Sequence, residues 1–510
     1  MDYLIAYDLG TGGIKASVFT RDGVSLADEF QQYETLFPRD KYVEQRPSDW
    51  WDGVCGATRR LLQRTGLKNT DIRAVALSGH SLVAVPFDQE NRQLLDAVPI
   101  WCDMRAEDQI EPFFSRVDYT DWYTTTGNGD PPETYTILKL MWYRQHNPEL
   151  FGKIRKILGS KDYINYRLTG RMCTDPSYAS GFGVFNLKKW DYEDRFFEAA
   201  GISRDIFPES IPSDGVVGTV TEEAAAMTGL APGTLVTCGA VDNTCMALGS
   251  TGLTEGTLYT SLGSSSWIAV TSTEPIVDPK TRPFVFAHAK KGYYTSAVCI
   301  FSAGNSFRWA RDHLCRDLQA DVQAYDRMNQ MAESVPVGSH GVLFNPTLAG
   351  GSAQEPSPNL MGGFMGLSLR NTREDLIRAV MEGIALSLRS ALDILLEQVE
   401  KNGNMLICGG GAKSRIWRQI FADVYHMPVL KTNIDQNAAS LGAAALAANA
   451  CGLWQGYDAI SACHQMEDLH QPCEANAAYY EQLLPLYKQW TKDLSHLSDQ
   501  LVALGKDANG

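Results

Sequence analysis

Apolar positions along this chain switch between two periods, and the switches mark out its elements. Leu4-Ile5-Ala6 and Ile14 to Phe19 are apolar or alternating runs, separated by Gly10, Gly12 and Gly13. They predict two strands joined by a tight turn. In a P-loop or a dinucleotide fold such glycines open a helix. Here they run into Ile-Lys-Ala-Ser-Val-Phe, so a hairpin is expected. Trp51, Val54, Leu61 and Leu62 have helical spacing and predict a helix over 49–65 capped by Ser48. Strands are expected over 72–77, ending at Ser78-Gly79-His80, and over 82–87. Segments 137–146 and 190–200 read as helices.

Further on, Leu235-Val236-Thr237 is a buried strand running into Gly239-Ala240-Val241-Asp242-Asn243. Residues 257–270 are again strand, Gly-Ser turn, strand, a second copy of the opening hairpin. A long helix over 372–400 follows. A strand over 406–408 then enters Gly409-Gly410-Gly411, before helices over 416–425 and 438–450. Alternation of strand and helix is the mark of an α/β protein.

A chain of 510 residues exceeds the usual size of a single core. Two domains are expected, 1–246 and 247–450, with a helical tail over 451–510. Gly249, Gly252 and Gly256 offer a hinge between them. A net charge of −15 argues against nucleic acid or a membrane as partner. The 11 cysteines include no C-x-x-C pair, and no basic leader or 18-residue apolar run is present, so a cytoplasmic protein is expected.

The opening turn carries chemistry. Its glycines are expected to adopt backbone conformations closed to other residues and to let a ligand approach the amides. Successive turn amides suit phosphate oxygens. Asp8 can hold magnesium through its waters, Thr11 adds a hydroxyl and Lys15 a positive charge. An ordinary β-turn with a nearby carboxylate would look the same. Trp101, Asp103 and Arg105 gather an aromatic, a carboxylate and a guanidinium within five residues.

Asp8-Leu9-Gly10-Thr11-Gly12-Gly13-Ile14-Lys15 resembles the first phosphate loop of the sugar-kinase, heat-shock-chaperone and actin superfamily. Gly362 to Leu367 followed by Asp375 to Glu382 is similar to the C-terminal signature of the FGGY carbohydrate kinases. Thr136 to Trp142 resembles their N-terminal signature in part. The resemblance runs from Tyr3 to about Leu446. It implies two ribonuclease H-like, actin-like ATPase domains with a cleft between them. It also implies phosphorylation of a small sugar by ATP with Mg2+.

Carried over by position, the resemblance makes Asp242 the general base and sets Asp8 at the metal and phosphates. Thr11, Gly12, Gly13, Lys15, Gly263 and Ser264 would face the phosphates. Gly304 and Arg308 would lie along the nucleotide, with Gly410, Gly411, Ala412 and Arg415 at the adenosine. Gly79, His80, Trp101, Asp103, Asp242 and Asn243 would meet the sugar. Residues 77–83 lack the Arg-Glu pair of glycerol kinases, whereas Trp101 and Asp103 resemble the ketose-kinase pattern. A ketopentose such as xylulose is therefore expected, with another sugar or polyol as the alternative. A sensor or chaperone-like ATP binder stays open, and a homodimer is compatible with all of these readings.

Overall fold

The computed structural model describes residues 2–352 and 354–508. Seven strands form the first sheet: β1 (Tyr3–Gly10), β2 (Gly13–Thr20), β3 (Ser25–Gln32), β4 (Ile72–Gly79), β5 (Val216–Thr219), β6 (Leu235–Thr237) and β7 (Ala240–Val241). Their order is β5-β6-β4-β1-β2-β3, with β7 also beside β4. β1 to β3 form an antiparallel meander, and β4 and then β6 add parallel to β1. Across this sheet Asp8 pairs with Lys15 on one side and Ser78 on the other, and Ser78 pairs with Ala240. Register alone thus brings the ends of β1, β4 and β7 to one edge. Helix α1 (Pro47–Thr65) covers the sheet; Pro47 occupies its first turn, and Ser48 lies inside the helix instead of capping it.

The second sheet repeats this plan with β8 (Leu258–Leu262), β9 (Ser266–Ser272), β10 (Phe284–Ala287), β11 (Tyr294–Ile300), β12 (Met405–Cys408), β13 (Val429–Thr432) and β14 (Met466–His470). The order is β10-β11-β9-β8-β12-β13-β14. The first strand of a hairpin again has parallel strands on its other side. Helices α2 (Asp242–Thr251), α3 (Gly304–Leu314), α4 (Arg373–Leu396), α5 (Arg415–Tyr425), α6 (Ala438–Ala450) and α7 (Glu474–Ala508) complete the site's frame.

Helices α2 and α6 cross at backbone contact. A Cβ on Gly249 would lie 1.9 Å from the Ala438 carbonyl oxygen, and one on Gly442 would lie 2.0 Å from that of Cys245. Gly249 is therefore a packing glycine, not a hinge. Gly256 likewise permits close approach of the Glu400 carbonyl, 2.2 Å from its would-be Cβ. Of the three glycines expected to flex, only Gly252, at φ 65°, has open space around it. Helix α6 lies between β13 and β14 of the second sheet in sequence but packs on the first: Leu441 and Ala445 share a cluster with Leu4, Ala6 and Ala76.

The terminal segment departs from the expected helical tail. It adds strand β14 to the second sheet, and α7 sends Tyr480, Leu484 and Tyr487 into that domain's core. Among the described residues no helix is long and apolar enough to cross a membrane.

Candidate functional site

The edge where β1, β4 and β7 end carries two carboxylates. Asp8 is held by the Ser78 hydroxyl, which donates to Oδ1 at 2.8 Å. Asp242 is the first residue of α2, and its Oδ1 accepts from the Asn243 amide at 2.8 Å. Burial pushes the Asp242 carboxyl up to about 7, and the negative charge of Asp8 adds to that. Asp8 is also raised by burial, against the pull of Lys15 and Ser78. Two carboxylates in one desolvated site resist sharing full ionisation.

The backbone behind Asp242 is anchored. The Val241 amide donates to Ser177 Oγ at 3.0 Å, and that hydroxyl donates to Asp175 Oδ2 at 2.5 Å. Asp175 pairs in turn with the buried Lys161 at 3.0 Å. Sequence reasoning missed this chain. Asp175-Pro176-Ser177 signals only a helix start, and its contact with Val241 spans 64 residues.

The opening hairpin forms as expected, but its glycines serve other ends. None of Gly10, Gly12 and Gly13 has a positive φ. A Cβ on Gly13 would meet the Gln31 carbonyl and the Phe30 ring, both at 2.5 Å, so Gly13 admits β3; Gly12 has open space. Thr11 is fixed by Trp101, whose indole donates to its hydroxyl at 2.9 Å, and by Gln45, which donates to its carbonyl at 2.7 Å. Lys15 reaches across to the other lobe, donating to the Gln436 carbonyl and, at 3.0 Å, to Asn437 Oδ1.

The second domain holds a cavity of ≈ 550 Å³. Gly263, Ser264, Gly304, Arg308, Gly410 and Gly411 all line it. Gly304 is required by contact: a Cβ there would lie 2.4 Å from the Gly263 carbonyl oxygen. The Ala303, Gly304 and Asn305 amides donate to the carbonyls of Gly263 and Ser264, which locks α3 to the second hairpin turn. Ala412 is wholly buried and Arg415, at the exposed start of α5, is not among the lining residues, so neither meets this cavity. Tyr325 and Asn329 complete the wall, and Phe307 stacks on Tyr325 with ring centroids 5.6 Å apart. Nothing local in the sequence marked those two, which both reach the cavity from the helix Ala324–Glu333, outside the glycine-bearing turns.

Descriptions of the FGGY family of carbohydrate kinases match nearly the whole chain: the N-terminal domain over 3–249 and the C-terminal domain over 258–451. The chain belongs to this family. It is 30% identical over 503 residues to a xylulose kinase of Bacillus subtilis (97% of this chain, 98% of the relative). It is 28% identical over 506 residues to a gluconokinase of Bacillus licheniformis (98% of each). The crystal structure of gluconate kinase from Lactobacillus acidophilus superposes with a TM-score of 0.91 at 26% identity, covering 98% of this chain and 99% of that one. As a carbohydrate kinase the protein is a phosphotransferase, and the fold is the duplicated actin-like ATPase fold of its relatives.

Within that family frame, the residues expected on the sugar side separate into two groups. Trp101 is 43% exposed and hangs beside the opening turn. Asn243 Oδ1 is buried without a partner among the described residues, next to Asp242. Asp103, by contrast, is fully buried and spent. Oδ2 accepts from the Val43 amide and from Arg105 Nη2, and Oδ1 from the Arg105 amide and Nε. It cannot also accept from a sugar. His80 is buried edge-on to Trp50 with its pKa lowered to about 4, so the ring is neutral. Gly79 is a packing glycine, since a Cβ would stand 2.8 Å from Ser160 Oγ.

Asp103→Asn therefore tests architecture. It leaves the buried Arg105 guanidinium short of its bidentate partner, with Glu44 alone facing it. A loss of about 3–5 kcal/mol in stability is expected, read as a lower Tm. An unchanged Tm would return Asp103 to the list of sugar contacts.

Proposed function

We propose that the protein transfers the γ-phosphoryl group of ATP to a hydroxyl of a neutral ketopentose such as xylulose. The observation that carries this reading is the buried carboxylate pair Asp8 and Asp242, held in one desolvated site at the strand ends of the first sheet. An alcohol is a weak nucleophile, and Asp242, with a pKa near neutrality, suits the acceptance of its proton. The hydroxyl oxygen bonds to the γ-phosphorus, the bond to the ADP oxygen breaks, and the proton passes to Asp242 Oδ. Gly263, Ser264, Gly304 and Arg308 would hold the nucleotide, with the base near Gly410, Tyr325 and Asn329.

Magnesium fits this donor set. Among the described residues no three His, Cys, Asp or Glu side chains gather as a metal cage. Two carboxylates that repel one another, completed by water and phosphate oxygens, are the sparse kind of site Mg2+ takes. Bound there, the ion would neutralise charge on the transferring phosphoryl group. Asp8 would orient it and Asp242 would keep an oxygen toward the sugar. The 11 cysteines are all unpaired thiols, which with ATP as co-substrate supports a cytoplasmic setting.

The relatives include both xylulose and gluconate kinases, and the charges near the site favour the neutral sugar. Lys15 is engaged by Gln436 and Asn437, Arg105 by Asp103 and Glu44, and Lys139 by two carbonyls. None is free for a gluconate carboxylate, which beside Asp8 and Asp242 would need a cation. A coupled ADP-release assay over xylulose, ribulose, gluconate, glycerol and no sugar tests this. Xylulose is expected to exceed gluconate in kcat/KM by about 10²-fold or more. A preference for gluconate would overturn the substrate, and equal ATP turnover without any sugar would overturn the kinase reading.

A further inference from the structure

One buried cation has no part in the chemistry above. Lys139, in the helix Thr136–His146, is completely buried. Its ammonium donates to the Leu82 carbonyl at 2.9 Å and to the Ile100 carbonyl at 2.7 Å. Asp103, whose charge it feels, is already bound by Arg105. A buried ammonium held by two carbonyls in place of a carboxylate is costly. A lysine that served only to fill the core would be better replaced by Met or Leu.

The two carbonyls belong to different loops. Leu82 sits in the turn after β4, and its φ of 62° is a conformation that a branched aliphatic residue resists. The other end of this turn is fixed at the His80 carbonyl, which accepts from Ser160 Oγ at 2.7 Å and from the Tyr178 hydroxyl at 2.8 Å. Ile100 immediately precedes Trp101, the exposed aromatic that also binds Thr11.

We propose that Lys139 is a positioning residue for the sugar, bolting the Ser81-Leu82 turn to the Trp101 loop. Its reach fixes a spacing between the two loops that neither could set alone. The strained Leu82 is kept in place by that bond. This rests on the reading that Trp101 faces the sugar, so the test carries Trp101→Ala beside Lys139→Gln and Lys139→Met.

Steady-state kinetics with xylulose and ATP varied separately should show sugar KM raised about 10- to 100-fold in the Lys139 variants, with ATP KM unchanged. Gln, which keeps a donor, should be the milder change. A lower Tm with both KM values unchanged would reduce Lys139 to a structural role. If Trp101→Ala leaves sugar KM unchanged, the sugar-site reading itself fails; if it raises KM while Lys139→Gln does not, only the bolt fails.

Hydrogen exchange on the wild-type protein is independent of whether either variant folds. Peptides over 80–83 and 99–102 should be protected before sugar is added. Fast exchange there without sugar would overturn the proposal.

Discussion

Asp242→Asn is expected to lower kcat by about 10²–10⁴-fold while ATP still binds. The side chains are nearly isosteric, and the backbone is held independently by the Ser177 hydroxyl on the Val241 amide. What the variant lacks is the proton acceptor. In the wild-type protein the acceptor works only when ionised, so kcat/KM for the sugar should rise with pH through a limb near pH 7. The limb should vanish in the variant.

Stability should move the other way. A carboxyl whose folded pKa is raised above its unfolded value contributes stability in full below the unfolded pKa, and this is lost as pH rises through the folded pKa. Burial and the charge of Asp8 push the Asp242 carboxyl up to about 7, well above the ordinary carboxylate range. Ionised Asp242 thus burdens the fold at pH 8, and Asn carries no such burden. The variant should be more stable than wild type at pH 8 by on the order of 1–3 kcal/mol, with the gain fading below pH 4. Thermal unfolding at both pH values checks this. A variant that keeps kcat within about threefold of wild type would remove Asp242 from the mechanism.

Asp8→Ala is expected to cost about 10²-fold in kcat, the scale for losing one electrostatic group at a developing charge. Half-maximal activity should require more Mg2+, with sugar KM little changed. Because Asp8 helps to raise the Asp242 carboxyl, its removal should also shift the ascending pH limb toward acid. Rate titrations with Mg2+ at several pH values measure both effects together. Unchanged magnesium dependence with an unchanged limb would mean that Asp8 only supports the hairpin through Ser78.

Short-range patterning determined a good deal about this protein. The two hairpins, 3–20 and 258–272, follow from apolar runs broken by small residues, because strand period and turn chemistry are local. The alanine-rich helix over 438–450 has the expected bounds, and Asp242 stands at the end of a strand run, as its small-residue context implied. The order of the family motifs along the chain was also legible, and the family comparison agrees with it.

Partners that come from far along the chain were decided by tertiary structure alone. Trp101 and Asp103 lie two residues apart on one loop, yet the indole is exposed at the opening turn while the carboxylate is buried against Arg105. Composition could not separate them, since the choice depends on Val43, Glu44 and Arg105 converging from behind. The same holds for the glycines: Gly13 and Gly249 are fixed by what packs on them, β3 and α6, and not by their own dihedral freedom. The basicity of Asp242 is likewise set by burial and by Asp8, 234 positions away in sequence and separated from β7 on the sheet only by β4. A sequence pattern records which residues can form a strand or a turn. Desolvation and charge are fixed only when the strands have paired and the lobes have met.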